Sequence, residues 1–186
     1  MAWIQILDES DAKGRLETVY SEVKAKRGRI SNIIRAFSLN PRAMKSYSDL
    51  YVCLMIGQSS LSREDRELIA TAVSTVNKCE YGKLHHGEAL NYYWENRNLI
   101  KQFMDDVGSV YLPDKRRIML DYAIKLTKNP SSVKEGDIKK LRQVGFSDED
   151  ILNINLITSY FNFENRVVNG LGVTATPDEL ESRLLI

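Results

Sequence analysis

The sequence predicts an all-α protein of a single domain, and three observations carry that expectation. Apolar residues recur at helical intervals, as in Leu16, Val19, Tyr20 and Val23 and again along Ile118, Leu120, Tyr122, Ile124 and Leu126. No stretch alternates apolar and polar residues with the two-residue period of a half-buried strand. Turn-forming residues punctuate the periodic segments at short intervals, and none of these breaks is long enough to be a domain linker. The 186 residues suffice for one well-filled core, since a domain of ~150 residues buries roughly 70% of its unfolded surface.

Taken in order, helices are expected over 12–27, 30–39, 42–57, 63–76, 79–95, 99–107, 114–127, 134–144, 148–169 and 177–184. The first closes on Lys24-Ala25-Lys26-Arg27-Gly28-Arg29, a solvated end whose cations oppose the helix dipole. Asn40-Pro41 separates the second from the third, because a proline pushes the preceding residue out of helical geometry. Gly57-Gln58-Ser59-Ser60 supplies the next turn, and Ser62 with Asp65 has the spacing of a capping box that opens the fourth helix. Asn129-Pro130-Ser131-Ser132 divides the seventh from the eighth.

Laying 61–87 over 146–172, an offset of 85 residues, aligns Ser62 with Ser147, Asp65 with Asp150, Ile69 with Ile154, Ser74 with Ser159, Asn77 with Asn162 and Gly87 with Gly172. Part of this echo is the same cap used twice; the remainder suggests a weak helical duplication. The second copy has Glu164 where the first has Cys79, and Leu152 where the first has Glu67, so chemistry is expected in one half only.

Composition excludes several function classes. Twenty-six basic and twenty-five acidic residues give a formal charge of +1, and without a run of about five or more like charges neither a nucleic-acid groove nor a membrane-attracting face is expected. No segment approaches the ~20 apolar residues of a membrane span, and the amino terminus lacks a basic start followed by a long apolar core, so a cytoplasmic location is expected. Two cysteines, Cys53 and Cys79, are too few for a disulfide scaffold, and neither lies in a cluster with metal-ligand spacing. No metal and no cofactor is expected.

The informative stretch is Val76-Asn77-Lys78-Cys79-Glu80-Tyr81-Gly82-Lys83-Leu84-His85-His86. On a helix, Cys79, Gly82 and His86 fall within roughly 60° of one another, while His85 points elsewhere. Glu67 lies on the preceding helix, with the small residues Ala70, Thr71 and Ser74 along its stripe, so a neighbouring helix or a substrate can approach its carboxylate. A carboxylate that orients an imidazole, which in turn deprotonates a thiol, is the logic of a nucleophilic triad, and Glu67, His86 and Cys79 supply its three chemical types. Cys79 falls at the start of its helix, where exposed amides and the dipole favour a thiolate.

Glu67, the run Cys79-x-Tyr81-Gly82-x-x-x-His86 and the pair Asn165-Arg166 resemble the carboxymuconolactone decarboxylase superfamily, in particular its alkylhydroperoxidase-D-like, peroxidase-related branch. The resemblance extends from Trp3 to about Val173 and is strongest between Leu61 and Leu90. It implies a compact multi-helix bundle, a homo-oligomer, and reduction of hydroperoxides by a Cys-x-x-Cys pair served by a Glu/His proton relay. Glu67, Cys79 and His86 match that pattern, whereas Gly82 stands where the second cysteine belongs, so the disulfide of the paired mechanism does not close.

Each site residue also has a plainer role. Cys79 is a small apolar residue, His86 a structural histidine and Glu67 a first-turn acid. Gly82 costs a helix interior roughly 0.8 to 1.0 kcal/mol relative to Ala, and either a small cavity between Cys79 and His86 or close helix packing accounts for it. Tyr81 takes the position of a second relay histidine in some relatives, as a hydrogen-bond donor or substrate contact, although a phenol with a pKa of about 10 is a poor base. Arg166 is expected in a buried ion pair holding the site, or at a subunit contact. Three functions follow: a hydroperoxide-reducing enzyme working through Cys79 with a Glu67/His86 relay and an external thiol; a non-redox acid/base enzyme using Glu67 and His86 on a small carbonyl or lactone; or an inactive relative with a binding role.

Overall fold

The computed structural model describes residues 2–176 and Glu179. Nine α-helices are described and no strand: α1 (Arg15–Arg27), α2 (Asn32–Ala36), α3 (Pro41–Tyr51), α4 (Arg63–Val76), α5 (Glu80–Trp94), α6 (Arg97–Asp105), α7 (Asp114–Lys128), α8 (Glu135–Gln143) and α9 (Asp148–Leu171). The all-α expectation holds, and α4 spans the residues expected of it. The expected helix over 177–184 lies outside the described residues, Glu179 aside. None of the described helices is long and apolar enough to cross a membrane.

The chain divides into two compact units, Met1–Gly57 with Val167–Ile186, and Gln58–Arg166. In the first, α1 packs on α3, Phe37 stacks on Tyr47 with ring centroids 4.8 Å apart, and the Arg27 guanidinium covers the Tyr51 ring at 4.0 Å. Helix α3 does not run on to residue 57 as expected. It widens at Val52–Ile56 into a π-helical turn, closed by the Gly57 amide donating to the Val52 carbonyl at 2.8 Å. A Cβ on Gly57 would come within 2.6 Å of the Cys53 carbonyl oxygen, so this turn closes on glycine.

In the second unit α4 is the central element and packs against α5, α6 and α7. Its residues from Arg66 to Ser74 are all buried, which a helix achieves only when other elements surround it. The Ser62 hydroxyl accepts the Asp65 amide at 3.0 Å, and at α9 the Ser147 hydroxyl accepts the Asp150 amide at 3.1 Å while the Asp150 carboxylate accepts the Ser147 amide at 2.9 Å. Both copies of the echoed cap are therefore formed. Beyond the caps the copies part, since α9 continues through Asn162 where α4 stops at Val76. The echoed Asn77 and Asn162 meet directly, the Asn77 amide donating to the Asn162 side-chain oxygen at 3.1 Å.

One charged clamp fixes α7 to α4. Arg116 donates to both oxygens of Glu64, at 2.6 and 2.5 Å, and to Asp65 at 2.7 Å, and the Trp94 indole donates to Glu64 at 2.9 Å. The guanidinium holds the Glu64 carboxyl below the usual carboxylate range. Forked arginine–carboxylate pairs of this kind, half-buried and hydrogen-bonded, are the strong members of their class. Arg116→Ala is expected to lower unfolding stability by about 1–3 kcal/mol; a chemical denaturation midpoint equal to that of the wild type would show that the clamp contributes nothing.

Candidate active site

The site begins with how α4 ends. Lys78 adopts a left-handed backbone with φ of 51°, and the amides of Lys78 and Cys79 turn back to the carbonyls of Thr75 and Ser74 at 3.1 and 2.9 Å. This is a glycine-type helix stop built on lysine, a conformation that costs an L-residue roughly 1 kcal/mol. It leaves Cys79 as the N-cap of α5, with extended backbone, φ −94° and ψ 96°.

Four polar side chains then gather in the second unit. Glu67 lies on α4, His86 on α5 and Glu164 on α9, with relative exposures of 0%, 2% and 4%, and Cys79 is fully enclosed at 0%. His86 Nδ1 is 2.7 Å from Glu67 Oε2, and its Nε2 is 3.9 Å from Glu164 Oε1. Arg63, half-exposed one turn before Glu67, donates to Glu67 Oε1 at 2.7 Å. The Phe161 ring meets His86 edge-on with centroids 4.5 Å apart, which fixes the imidazole plane. A carboxylate buried this deeply needs partners for each oxygen, and Arg63 and His86 provide them.

Cys79 differs from what its helix position suggests. Burial pushes the thiol up from 9.0 to about 11, the Gly82 amide pulls it partly back, and the charge of Glu164 raises it further. The helix N-terminus therefore does not make a resting thiolate; desolvation outweighs it. Cys79 and Cys53 are both free, the first buried and the second exposed in its π-helical turn.

Gly82 does not open a cavity. A Cβ there would run into the Ser74 hydroxyl and come within 2.9 Å of both Ser74 Cβ and Asn165 Oδ1, and Ser74 and Asn165 hydrogen-bond to each other at 3.3 Å. Close packing of α4, α5 and α9 thus excludes a side chain at 82. Tyr81 sits about 100° round the helix from Gly82, its ring centroid 4.2 Å from that of His85. Arg166 is not in a buried ion pair: it is exposed and bonds to Asn162 of its own helix, at 2.6 Å to the carbonyl and 2.9 Å to the side chain. It points outward because its neighbours Glu164 and Asn165 take the inward positions of the turn.

Sequence reasoning missed two residues of this constellation. Arg63 carries the i,i+4 spacing to Glu67 that identifies a helical ion pair. Glu164 is an acid inside the aromatic run Tyr160-Phe161-Asn162-Phe163, a buried-carboxylate signal that the echo with Cys79 only touched. Among the described residues no three His, Cys, Asp or Glu side chains converge as metal ligands.

Residues 41–92, which include Glu67, Cys79 and His86, match the carboxymuconolactone decarboxylase family model. The chain also superposes on a peroxidase-related protein from Ralstonia eutropha JMP134 described as an alkylhydroperoxidase AhpD core, with a TM-score of 0.85, 27% identity and 96% and 94% of the two chains covered. Residues 41–92 thus carry the carboxymuconolactone decarboxylase pattern, and the whole chain is similar to alkylhydroperoxidase-D-like, peroxidase-related proteins. A peroxidase-related protein from Silicibacter sp. TM1040 is similar to this chain at a TM-score of 0.80 and 29% identity, over 95% and 90% of the chains. The debrominase Bmp8 shares the fold at a TM-score of 0.76 and 22% identity, over 96% and 94%. No curated protein matches the chain in sequence.

Two expectations follow from this geometry. Gly82→Ala, which gains about 1 kcal/mol in an unhindered helix, is expected instead to cost about 1–3 kcal/mol through overpacking, and Ser74→Gly in the same chain should recover part of that loss; a more stable Gly82→Ala would contradict the packing. The fold also holds the Cys79 proton more tightly than the unfolded chain does. That contribution, about 2–3 kcal/mol for a rise from 9.0 to about 11, is complete below about pH 9 and is lost as pH rises through about 11. Alkaline unfolding should show this loss in the wild type and not in Cys79→Ala.

Proposed function

We propose that the chain is a one-cysteine member of the alkylhydroperoxidase-D-like branch that reduces small hydroperoxides at Cys79, with an external thiol as reductant. The observation that supports this most is a fully buried thiol at the start of the helix that carries His86, whose ring Glu67 holds at 2.7 Å with Glu164 3.9 Å from its other nitrogen. The peroxidase-related neighbours at 27% and 29% identity favour a hydroperoxide over other electrophiles. Sulfur attacks the distal oxygen of R–O–O–H, the O–O bond breaks, and Cys79 becomes a sulfenic acid while the alkoxide takes a proton and leaves as R–OH. Two equivalents of external thiol then restore Cys79–SH, giving a disulfide and water. No resolving cysteine at position 82 is needed.

One observation favours a second reading. A thiol at about 11 is a poor nucleophile at neutral pH, whereas a buried carboxylate–imidazole pair suits proton transfer on a small carbonyl or lactone.

Turnover with tert-butyl hydroperoxide and dithiothreitol separates the two. Cys79→Ser should abolish consumption, Cys53→Ser should leave it intact, and His86→Ala should lower it by about 10²–10⁴-fold. Full activity in Cys79→Ser would end the thiol reading; its loss there would end the acid/base one.

A further inference from the structure

Helix α9 has an apolar face on each side. Its inward side carries Phe161 to His86 of α5 and Asn165 to Ser74 of α4. Its outward side is not the polar surface that a solvated helix presents. From 149 to 166 the exposed residues are Glu149, Leu152, Leu156, Ser159, Phe163 and Arg166, and at about 100° per residue all six fall within about 100° of one another. Leu152, Leu156 and Phe163 keep 57%, 38% and 49% of their surface exposed. Single exposed apolar residues are ordinary, whereas three in one row with a charge at each end mark an association face.

The row advances by alternating steps of three and four residues, which is the seam period of paired helices. It also has the same spacing read from either end. Two copies laid antiparallel, with a two-fold axis passing between positions 157 and 158, bring Glu149 to the partner's Arg166, Leu152 to the partner's Phe163 and Leu156 to the partner's Ser159, because each of these pairs is centred on that point. Every contact then occurs twice, as isologous symmetry requires. The small Ser159 leaves room for the leucine opposite it. Arg166 uses Nη1 for Asn162, which leaves Nη2 and Nε for a carboxylate. A parallel pair would instead set Glu149 against Glu149 and Arg166 against Arg166.

We propose that the outward row of α9 is the docking surface for a second copy of this chain, in an antiparallel two-fold pair along about 26 Å of helix. The occupant follows from the row itself: an apolar centre closed by opposite charges complements the same row reversed. The pairing is independent of the reading of Cys79.

The test is sedimentation velocity of the full chain across a wide range of protein concentration. Wild type should sediment as a dimer or a multiple of it. Phe163→Asp puts a carboxylate into each half of the seam and should weaken self-association by at least about a hundredfold, with an unchanged circular dichroism spectrum because the position is exposed in the single chain. Glu149→Arg and Arg166→Glu each set like charges together at both ends and should each weaken it about tenfold, less so in high salt. Glu149→Arg with Arg166→Glu in one chain restores opposite charges across the axis and should recover wild-type association. A wild type that stays a single chain at every concentration would leave the row to a different protein and overturn the proposal, as would a trimer. Self-association untouched by Phe163→Asp would place the interface elsewhere, and a double variant no tighter than the single ones would overturn the antiparallel register.

Discussion

A fully buried carboxylate at Glu67 is the constraint on which the second unit is organised. Desolvating a carboxylate costs several kcal/mol unless each oxygen is paired. Arg63 pairs one oxygen from a turn earlier on α4, and His86 pairs the other from α5. The contact of His86 with Glu67 and the packing of Gly82 against Ser74 tie α5 to α4. That packing also accounts for the glycine at 82, since only a residue without Cβ lets α5 approach Ser74 and Asn165 this closely.

The same packing reshapes the chemistry that the family resemblance implies. A paired-cysteine mechanism needs a second sulfur where Ser74 and Asn165 now fill the space. Under the proposed one-cysteine reading, repair of Cys79 falls to an outside thiol. Burial makes the thiol a weak acid, pushed up to about 11.

Much of the fold was legible because it depends on local signals. The cap at Ser62 and Asp65 and the apolar period located α4 over its observed span, and Asn40-Pro41 and Asn129-Pro130 located breaks. The spacing put Gly82 and His86 on one face of α5, and in the structure Gly82 meets Ser74 and His86 meets Glu67, both of α4, while Cys79 stands outside the helix as its cap. What escaped depends on partners distant in sequence. The enclosure of Cys79, the filling of the space at Gly82 and the turning inward of Glu164 in place of Arg166 all follow from how α9 lies against α4 and α5. The π-helical turn at Val52–Ile56 escaped for a different reason: its apolar pattern is that of the helix it extends, and only the carbonyl geometry behind Gly57 distinguishes it.

The most direct measurement is a crystal structure of the protein after brief exposure to an organic hydroperoxide. A single oxygen bonded to Cys79 Sγ, within hydrogen-bonding reach of Glu164 or His86 and with the Glu67–His86 contact unchanged, is the predicted result. An unmodified Cys79 alongside an oxidised, exposed Cys53 would contradict it.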